Sequence, residues 1–553
     1  MRSKREKMTD HQAITMSALI DPKEPRPGGG SLIFHRLCEV KEELDRDSLS
    51  TSVATSLNRD ELDALYQKSL EVLSLIRSKI NMSAPINRLP QEILTLIPDF
   101  LNERGRGKIP IVLSHVCRAW REIFVSQASL WTNFRCVGAE QTRVYFERSK
   151  SSPINLRLEI PLGLFPHDPF FLIAPHITDR LKSLYVMTLP DYFQEIAKNF
   201  ILPAPLLEAL TIDGNYLRSE INPVLPTALF GGDLSFLREL HLLSVRTELP
   251  WRNMNNLTSF SLFDMQQFTA SASVDQILDF FESAPHLREV DLRFAAPSVH
   301  AQNRRLVSLT HLRRLSISDC PSPSILLDYL AIPIGATVSI ESNLESTRFD
   351  DYLPHSLDNL RNLSNFTKIS LLREDFNASM RFSGPNGEVT FASLLGVDAI
   401  PSMPQSLARF DTSTTQRMEI INGYPITDGL EVTLLSLENL HTLMLSRNKD
   451  TLPPFLSRLS PGLSQHGSAV VCPKLKKLVI RTTDPVDMET MVHVAAERAM
   501  RGAPLELVKV ISFPGAVPTQ WVAELLKHVP RVETGVWDGG KEDYFSEDSD
   551  EEG

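Results

Sequence analysis

Leu237-Arg-Glu-Leu-His-Leu242, Leu257-Thr-Ser-Phe-Ser-Leu262, Leu287-Arg-Glu-Val-Asp-Leu292 and Leu312-Arg-Arg-Leu-Ser-Ile317 are four copies of one pattern, Leu-x-x-Leu-x-Leu, whose apolar positions accept other aliphatics and Phe. The end of each copy alternates apolar with polar, the period of a β-strand with one buried face. Further copies start at Leu181, Leu207, Phe366, Leu440 and Leu475, with a weaker one at Leu505. The starts at Leu181, Leu207, Leu237, Leu257, Leu287 and Leu312 are separated by 26, 30, 20, 30 and 25 residues. Such offsets match one strand plus one return segment per repeat of a leucine-rich solenoid. Later gaps of 54 and 74 residues leave room for degenerate copies near Val338-Ser-Ile340 and Met418-Glu-Ile420. A cleanly alternating first strand is expected at Ile154-Asn-Leu-Arg-Leu-Glu-Ile160.

The register is imperfect. Three residues past the motif, where such repeats want Asn or Cys for the turn, only Asn215, Cys320 and Asn448 fit. An irregular array with insertions is therefore expected, the largest within about 375 to 430. Helices on its other side are predicted at Ser273 to Glu282, Asp487 to Met500 and Thr519 to Lys527. With the leucines turned inward, the intervening residues face out. That assigns Tyr185, Glu239, His241, Ser261, Phe263, Glu289, Asp291, Arg293, Arg314, Ser316, Lys368, Met444 and Lys477 to an exposed sheet face. Mixed charge with aromatics suits protein recognition, so Tyr185, His241, Phe263, Asp291, Arg293, Arg314, Lys368 and Lys477 form the candidate partner surface. Any repeat array has such a face, so these residues mark a place and not a partner.

Composition bounds the rest. Of 553 residues, 42% are hydrophobic and 23% charged, enough apolar material for a substantial core. The net charge of −11 is uneven, because Lys541 to Gly553 carries one positive and seven negative charges, leaving −5 for the other 540 residues. Nothing in that balance draws the chain to nucleic acid. Five scattered cysteines fit neither a disulfide framework nor a zinc site and point to a reducing compartment. No signal peptide and no membrane span is read, so the expected location is cytoplasmic, nuclear or both.

Residues 1–55 are expected to be disordered, with at most a short helix near Ser31 to Leu44. Leu62, Leu65, Ser69, Val72, Leu73, Ile76 and Ile80 then recur at three- and four-residue steps, an amphipathic helix over 56–82 started by Asn58 and Glu61. It is expected to pack on its own chain, since it is too short for a convincing coiled coil. A dense segment follows over 83–138: Ile86 to Leu101, a basic loop, Ile111 to Phe124, and Ser129-Leu-Trp131. Pro90 suits a helix's first turn, Pro98 interrupts that helix, and the next helix gathers Leu113, Val116, Cys117, Trp120, Ile123 and Phe124 on one side. So small a unit cannot bury all these groups by itself, and apolar surface left over is a partner site.

Leu89-Pro90, Glu92-Ile93-Leu94, Leu113, Val116-Cys117-Arg118-Ala119-Trp120-Arg121 and Leu130-Trp131 resemble an F-box of the F-box-like kind common in mushroom-forming fungi. The resemblance implies an α+β chain, a small helical F-box followed by an irregular α/β leucine-rich-repeat solenoid over 139–535, then an acidic tail over 536–553. It also implies a substrate-recognition subunit of a Skp-cullin-F-box ubiquitin ligase. Leu89, Pro90, Ile93, Leu94, Leu113, Val116 and Trp120 would contact the Skp-type adaptor or shape that contact, and the repeat face would hold an unknown protein substrate. Trp120→Ala is then expected to abolish adaptor binding while leaving the solenoid folded. The alternative is a repeat scaffold or interaction protein that never reaches a ligase.

No enzyme is read. His-Glu-x-x-His, Cys-x-x-Cys, Gly-x-Ser-x-Gly and the phosphate loop are absent, and Gly105-Arg-Gly-Lys108 lacks the spacing and the hydroxyl of the last. His241, His286, His311 and His441 stand within or beside the repeat motif, which explains their recurrence without a metal. No cofactor, metal, nucleic acid or membrane is expected. Ser546 and Ser549, set among carboxylates, suit an acid-directed kinase, although a plain solubilising tail accounts for them too.

Overall fold

The computed structural model describes residues 59–536 apart from 103–108, 137–138, 160–175, 188–192, 194–196, 215–224, 227–228, 246–253, 264–272, 294–304, 321–322, 343–351, 375–376, 394–405, 422–432, 448–455, 457–458, 460–469, 483–487 and 513–516. The expectations for residues 1–55, for Asn58 as a cap and for the acidic tail lie outside the described residues, as do Asn215 and Asn448. The chain divides into two compact units that meet in sequence between Leu94 and Thr95. The first unit holds one long helix, Arg59–Ser83, then a 3-10 turn, Pro85–Arg88, and the short helix Gln91–Leu94.

The second unit is α+β and is dominated by one 17-stranded, mostly parallel sheet. Its strands are β1 Asn133–Cys136, β2 Ile154–Glu159, β3 Leu181–Met187, β4 Ala209–Asp213, β5 Glu239–Leu243, β6 Ser259–Phe263, β7 Glu289–Arg293, β9 Arg314–Ser318 and β11 Thr337–Ser342. They continue as β12 Lys368–Glu374, β13 Asn377–Gly384, β14 Gly387–Ser393, β15 Arg417–Ile421, β16 Thr442–Arg447, β17 Lys477–Thr482, β18 Leu507–Ser512 and β19 Arg531–Val536. The two-residue strands β8 Val307–Ser308 and β10 Leu330–Ala331 pair separately. β1 to β7 pair in chain order and in parallel, followed by β9 and β11. The same parallel order resumes from β12 through β15 to β19.

Each repeat copy supplies the same local chemistry. Leu210 and Ile212, Leu240 and Leu242, Val290 and Leu292, and Leu315 and Ile317 are buried in one continuous core, while the residues between them stand on the opposite face. Withdrawing each such side chain from water is worth roughly 1.5–3 kcal/mol. The core is closed on its other side partly by helix Val274–Ser283, which buries Val274, Ile277, Leu278, Phe280 and Phe281. Ser273 starts it with a reciprocal cap: its Oγ accepts from the Gln276 N–H at 3.2 Å, and its own N–H donates to Gln276 Oε1 at 2.8 Å. Helices Met488–Met500 and Thr519–Leu525 also fall where the apolar spacing predicts them.

The largest insertion is expected within about 375 to 430. There β13 and β14 form an antiparallel hairpin, which interrupts the parallel order between β11 and β12. Ala378, Met380, Phe382, Val389 and Phe391 point into the core, and Phe382 stacks on Phe410 at 4.2 Å. The turn Pro385-Asn386 ends on Gly387, whose φ is +127°, and a Cβ there would sit 2.5 Å from the Ala336 carbonyl oxygen. Only glycine satisfies both constraints.

Candidate functional site

The candidate residues lie on the helices of each unit, taken separately, and on the sheet of the second. In the first unit, Leu94 is buried while Leu89, Pro90 and Ile93 are exposed. Pro90 opens the short helix: its carbonyl accepts from the Ile93 and Leu94 N–H groups at 3.1 and 3.2 Å. The helix Arg59–Ser83 is exposed along most of its described length, with Leu70, Val72, Leu73 and Ile80 each open to solvent.

In the second unit, Pro98 sits in the first turn of Ile97–Asn102, where its missing N–H ends the preceding helix rather than kinking it. Helices Ile109–Ser114 and Arg118–Ser126 pack on each other, and Arg121 Nε donates to the Ser114 carbonyl at 3.0 Å. Leu113 and Trp120 turn inward. Trp120 meets Phe124 edge-on at 5.4 Å, Trp131 Nε1 donates to the Phe124 carbonyl at 2.8 Å, and Trp131 meets Tyr145 edge-on at 5.0 Å under the Arg148 guanidinium. Trp131 and Tyr145 belong to the main core, with Ile111, Val125 and Leu130 packed against it. The aromatic column therefore fastens these helices to the start of the sheet. Val112, Val116 and Phe100 stay outside, at 62%, 53% and 76% exposure. Of the seven proposed contact residues, Leu89, Pro90, Ile93 and Val116 are presented to solvent, and Leu94, Leu113 and Trp120 are interior.

The sheet surface is the face opposite the leucines. Register sets its central row as Arg157, Tyr185, Thr211, His241, Ser261, Asp291 and Ser316 on successive strands. The Arg157 guanidinium lies 4.1 Å from the Tyr185 ring centre, and the Tyr185 hydroxyl donates to Asp213 Oδ2 at 3.5 Å. Burial, and then the Asp213 charge, push the Tyr185 phenol above its ordinary range. Asp291 pairs with Arg293 at 3.4 Å, Phe263 stands opposite Arg293, and Arg314 reaches Glu289 at 4.0 Å. Further along, the buried Glu419 carboxylate collects Lys368 at 3.0 Å, Arg417 at 2.8 Å and the Ser370 hydroxyl at 3.0 Å. Lys477 heads β17 between Thr442 and Leu507. Met444 corrects the expectation of exposure: it is 5% exposed, because Ile421 and Val479 flank it and the three make a second apolar cluster with Leu372.

Arg157, Asp213, Arg417 and Glu419 are functional candidates that the motif reading passes over. The first and last were visible as charged outward positions of alternating strands, whereas their partners emerge only from register. Two asparagines that the motif reading does not single out also join repeats. Asn256 and Asn439 stand just before a motif leucine, and each Nδ2 donates to a carbonyl of the preceding repeat, Ser235 or Ser413, at 2.6 Å.

Among the described residues, no group of three or more His, Cys, Asp or Glu side chains is placed to hold a metal. No helix among them is long and apolar enough to cross a membrane. What these surfaces offer chemically is contact: apolar side chains on the helices, paired charges and aromatics on the sheet. No protein-family model and no curated protein matches this chain.

Proposed function

We propose that the chain is a substrate-recognition subunit of a Skp-cullin-F-box ubiquitin ligase, with the helices around 85–131 as the F-box-like module and the parallel sheet as the inner layer of a leucine-rich-repeat solenoid. The observation that carries the reading is the outward placement of Val112 and Val116 on short helices whose Trp120 and Phe124 are already satisfied inside, together with the exposure of Leu89 and Ile93 within the first unit. Apolar groups left in water beside a completed interior are groups for which a partner supplies the cover. A few such anchors suffice to dominate an interface. The sheet face, with Tyr185, His241, Asp291 and Arg293, would hold the protein target, so the subunit contributes proximity and no bond-making group.

The test uses the full chain and purified Skp-type adaptor. Ile93→Asp and Val116→Asp, both on exposed positions, are expected to weaken the complex at least about tenfold each while leaving the melting curve in place. An adaptor that binds neither the parent nor the variants, or binds all of them alike, overturns the assignment in favour of a repeat scaffold outside any ligase.

A further inference from the structure

A cavity of about 400 Å³ opens at the edge of the sheet where β5, β6 and β7 begin, lined by Arg238, Asn256, Thr258, His286, Arg288 and His311. Its volume is within the range of ligand sites. Four of the six described lining residues carry guanidinium or imidazole groups, and none is acidic.

The repeat builds it. Arg238, Thr258 and Arg288 each stand one residue before their strand, and the backbone ladder already joins them: Thr258 N–H donates to the Arg238 carbonyl and Arg288 N–H to the Thr258 carbonyl, both at 2.8 Å. Neighbouring strands lie about 4.8 Å apart, so the two arginines are rooted about 10 Å from each other with a short threonine between them. Two long cationic arms beside one short residue leave a cleft into which both can turn. His286 and His311, with ring centres 5.3 Å apart, form its wall. Neither guanidinium has an ion pair or side-chain hydrogen bond to any described residue. Of the carboxylates beside these strand starts, Glu208 pairs with Lys182 at 3.6 Å and Glu289 reaches Arg314 at 4.0 Å. Thr258 Oγ1 donates to the Arg238 carbonyl at 3.1 Å and Asn256 Nδ2 to the Ser235 carbonyl, so the floor is fixed while the guanidiniums are not tied to any described residue.

We infer that this cavity is a binding site for a phosphate monoester. Two forked guanidiniums lining one cavity match the several oxygens of a phosphate, which bidentate Arg contacts bind with both charge and geometry. The cavity is far larger than the anion, leaving room for the group that carries it. The site belongs to the sheet alone and needs neither an adaptor nor a ligase, so its test is independent of that reading.

The test is equilibrium binding to the purified full chain at low salt. The probes are a labelled glycine pentapeptide with one phosphoserine, its unphosphorylated twin, adenosine monophosphate and inorganic phosphate. The expected result is that the phosphorylated probes bind, the unphosphorylated peptide does not, and Arg238→Gln and Arg288→Gln each weaken binding about tenfold. Arg531→Gln, at the far strand, should leave it unchanged. Tighter binding of the phosphopeptide than of adenosine monophosphate assigns the site to a phosphorylated protein, and the reverse order to a nucleotide. All the substituted arginines are exposed, and His311→Gln supplies a neutral second variant should either substitution lower the yield of folded protein. No binding of any phosphate probe at millimolar concentration, or equal loss in Arg531→Gln, overturns the proposal.

Discussion

The helices between Ile86 and Ser126 and the sheet that follows use the same aliphatic side chains to opposite ends. In the sheet, Leu240, Leu242, Leu292, Leu315 and Ile317 are fully enclosed, each covered by the next repeat and by helices such as Val274–Ser283. In the second unit's helices Val112 and Val116 keep more than half of their surface in water beside a closed aromatic interior, and in the first unit Ile86, Leu89 and Ile93 keep more than two fifths of theirs. A repeat array extends its own core, whereas three or four short helices run out of chain before their apolar side is covered. The exposed aliphatics are thus a property of the segment's size, and function follows from what covers them.

The comparison is broken most severely at Arg498. Its side chain is fully buried under helix Met488–Met500, and its guanidinium donates to the carbonyls of Val471 and Cys472 at 2.7 and 2.9 Å. Burial lowers its pKa, and its hydrogen-bond partners among the described residues are these carbonyls. Arg498→Ala leaves both carbonyls dry and opens a cavity, so urea denaturation should show a loss of about 4 kcal/mol. An unchanged midpoint would mean the far end of the sheet is not sealed. Trp120→Ala should cost about 3 kcal/mol, centred on the helices, since it removes the partner of Phe124. Loss of adaptor binding in that variant would therefore report damage to the interior and not a lost contact.

A matched pair sharpens the contrast. Leu240→Ala in the sheet should cost about 2–3 kcal/mol, and Val116→Ala on the helices no more than about 0.5 kcal/mol. Similar costs for the two in denaturant titrations would erase the distinction between the regions. The smallest effect is expected at their junction. Burial pushes the Tyr145 phenol up to about 12, against an ordinary value near 10. Between about pH 10 and 12 the unfolded chain releases a proton that the folded chain keeps, so stability falls as pH rises through that window and is untouched below it. Tyr145→Phe should flatten this part of a melting-temperature profile relative to the parent.

The strands were largely legible because a repeat announces the same alternation many times. β4 to β7, β9, β12, β16, β17 and β18 each begin two residues after a motif start, and even the degenerate copies at Val338 and Met418 lie on strands β11 and β15. The hairpin at β13 and β14 was not read, although Pro385-Asn386-Gly387 between two alternating runs is a hairpin signal. An antiparallel pair has no place in the repeat period, so the period does not reveal it. β1 was hidden because four residues give too few alternations. Met444 was misjudged because alternation reports which face a side chain takes, not whether something else covers that face. The charged partners of Glu419 and the cavity around Arg238 and Arg288 depend on which strands are neighbours, and no single stretch of sequence contains that information.

The central claim, that the exposed aliphatics of the helices are covered by an adaptor, is tested most directly by hydroxyl-radical footprinting of the full chain with and without a Skp-type adaptor. The account predicts that Leu89, Ile93 and Val116 react readily in the free chain and become protected in the complex, while Trp120 is unreactive in both. Reactivity unchanged by the adaptor, or side chains already protected without it, would contradict the account.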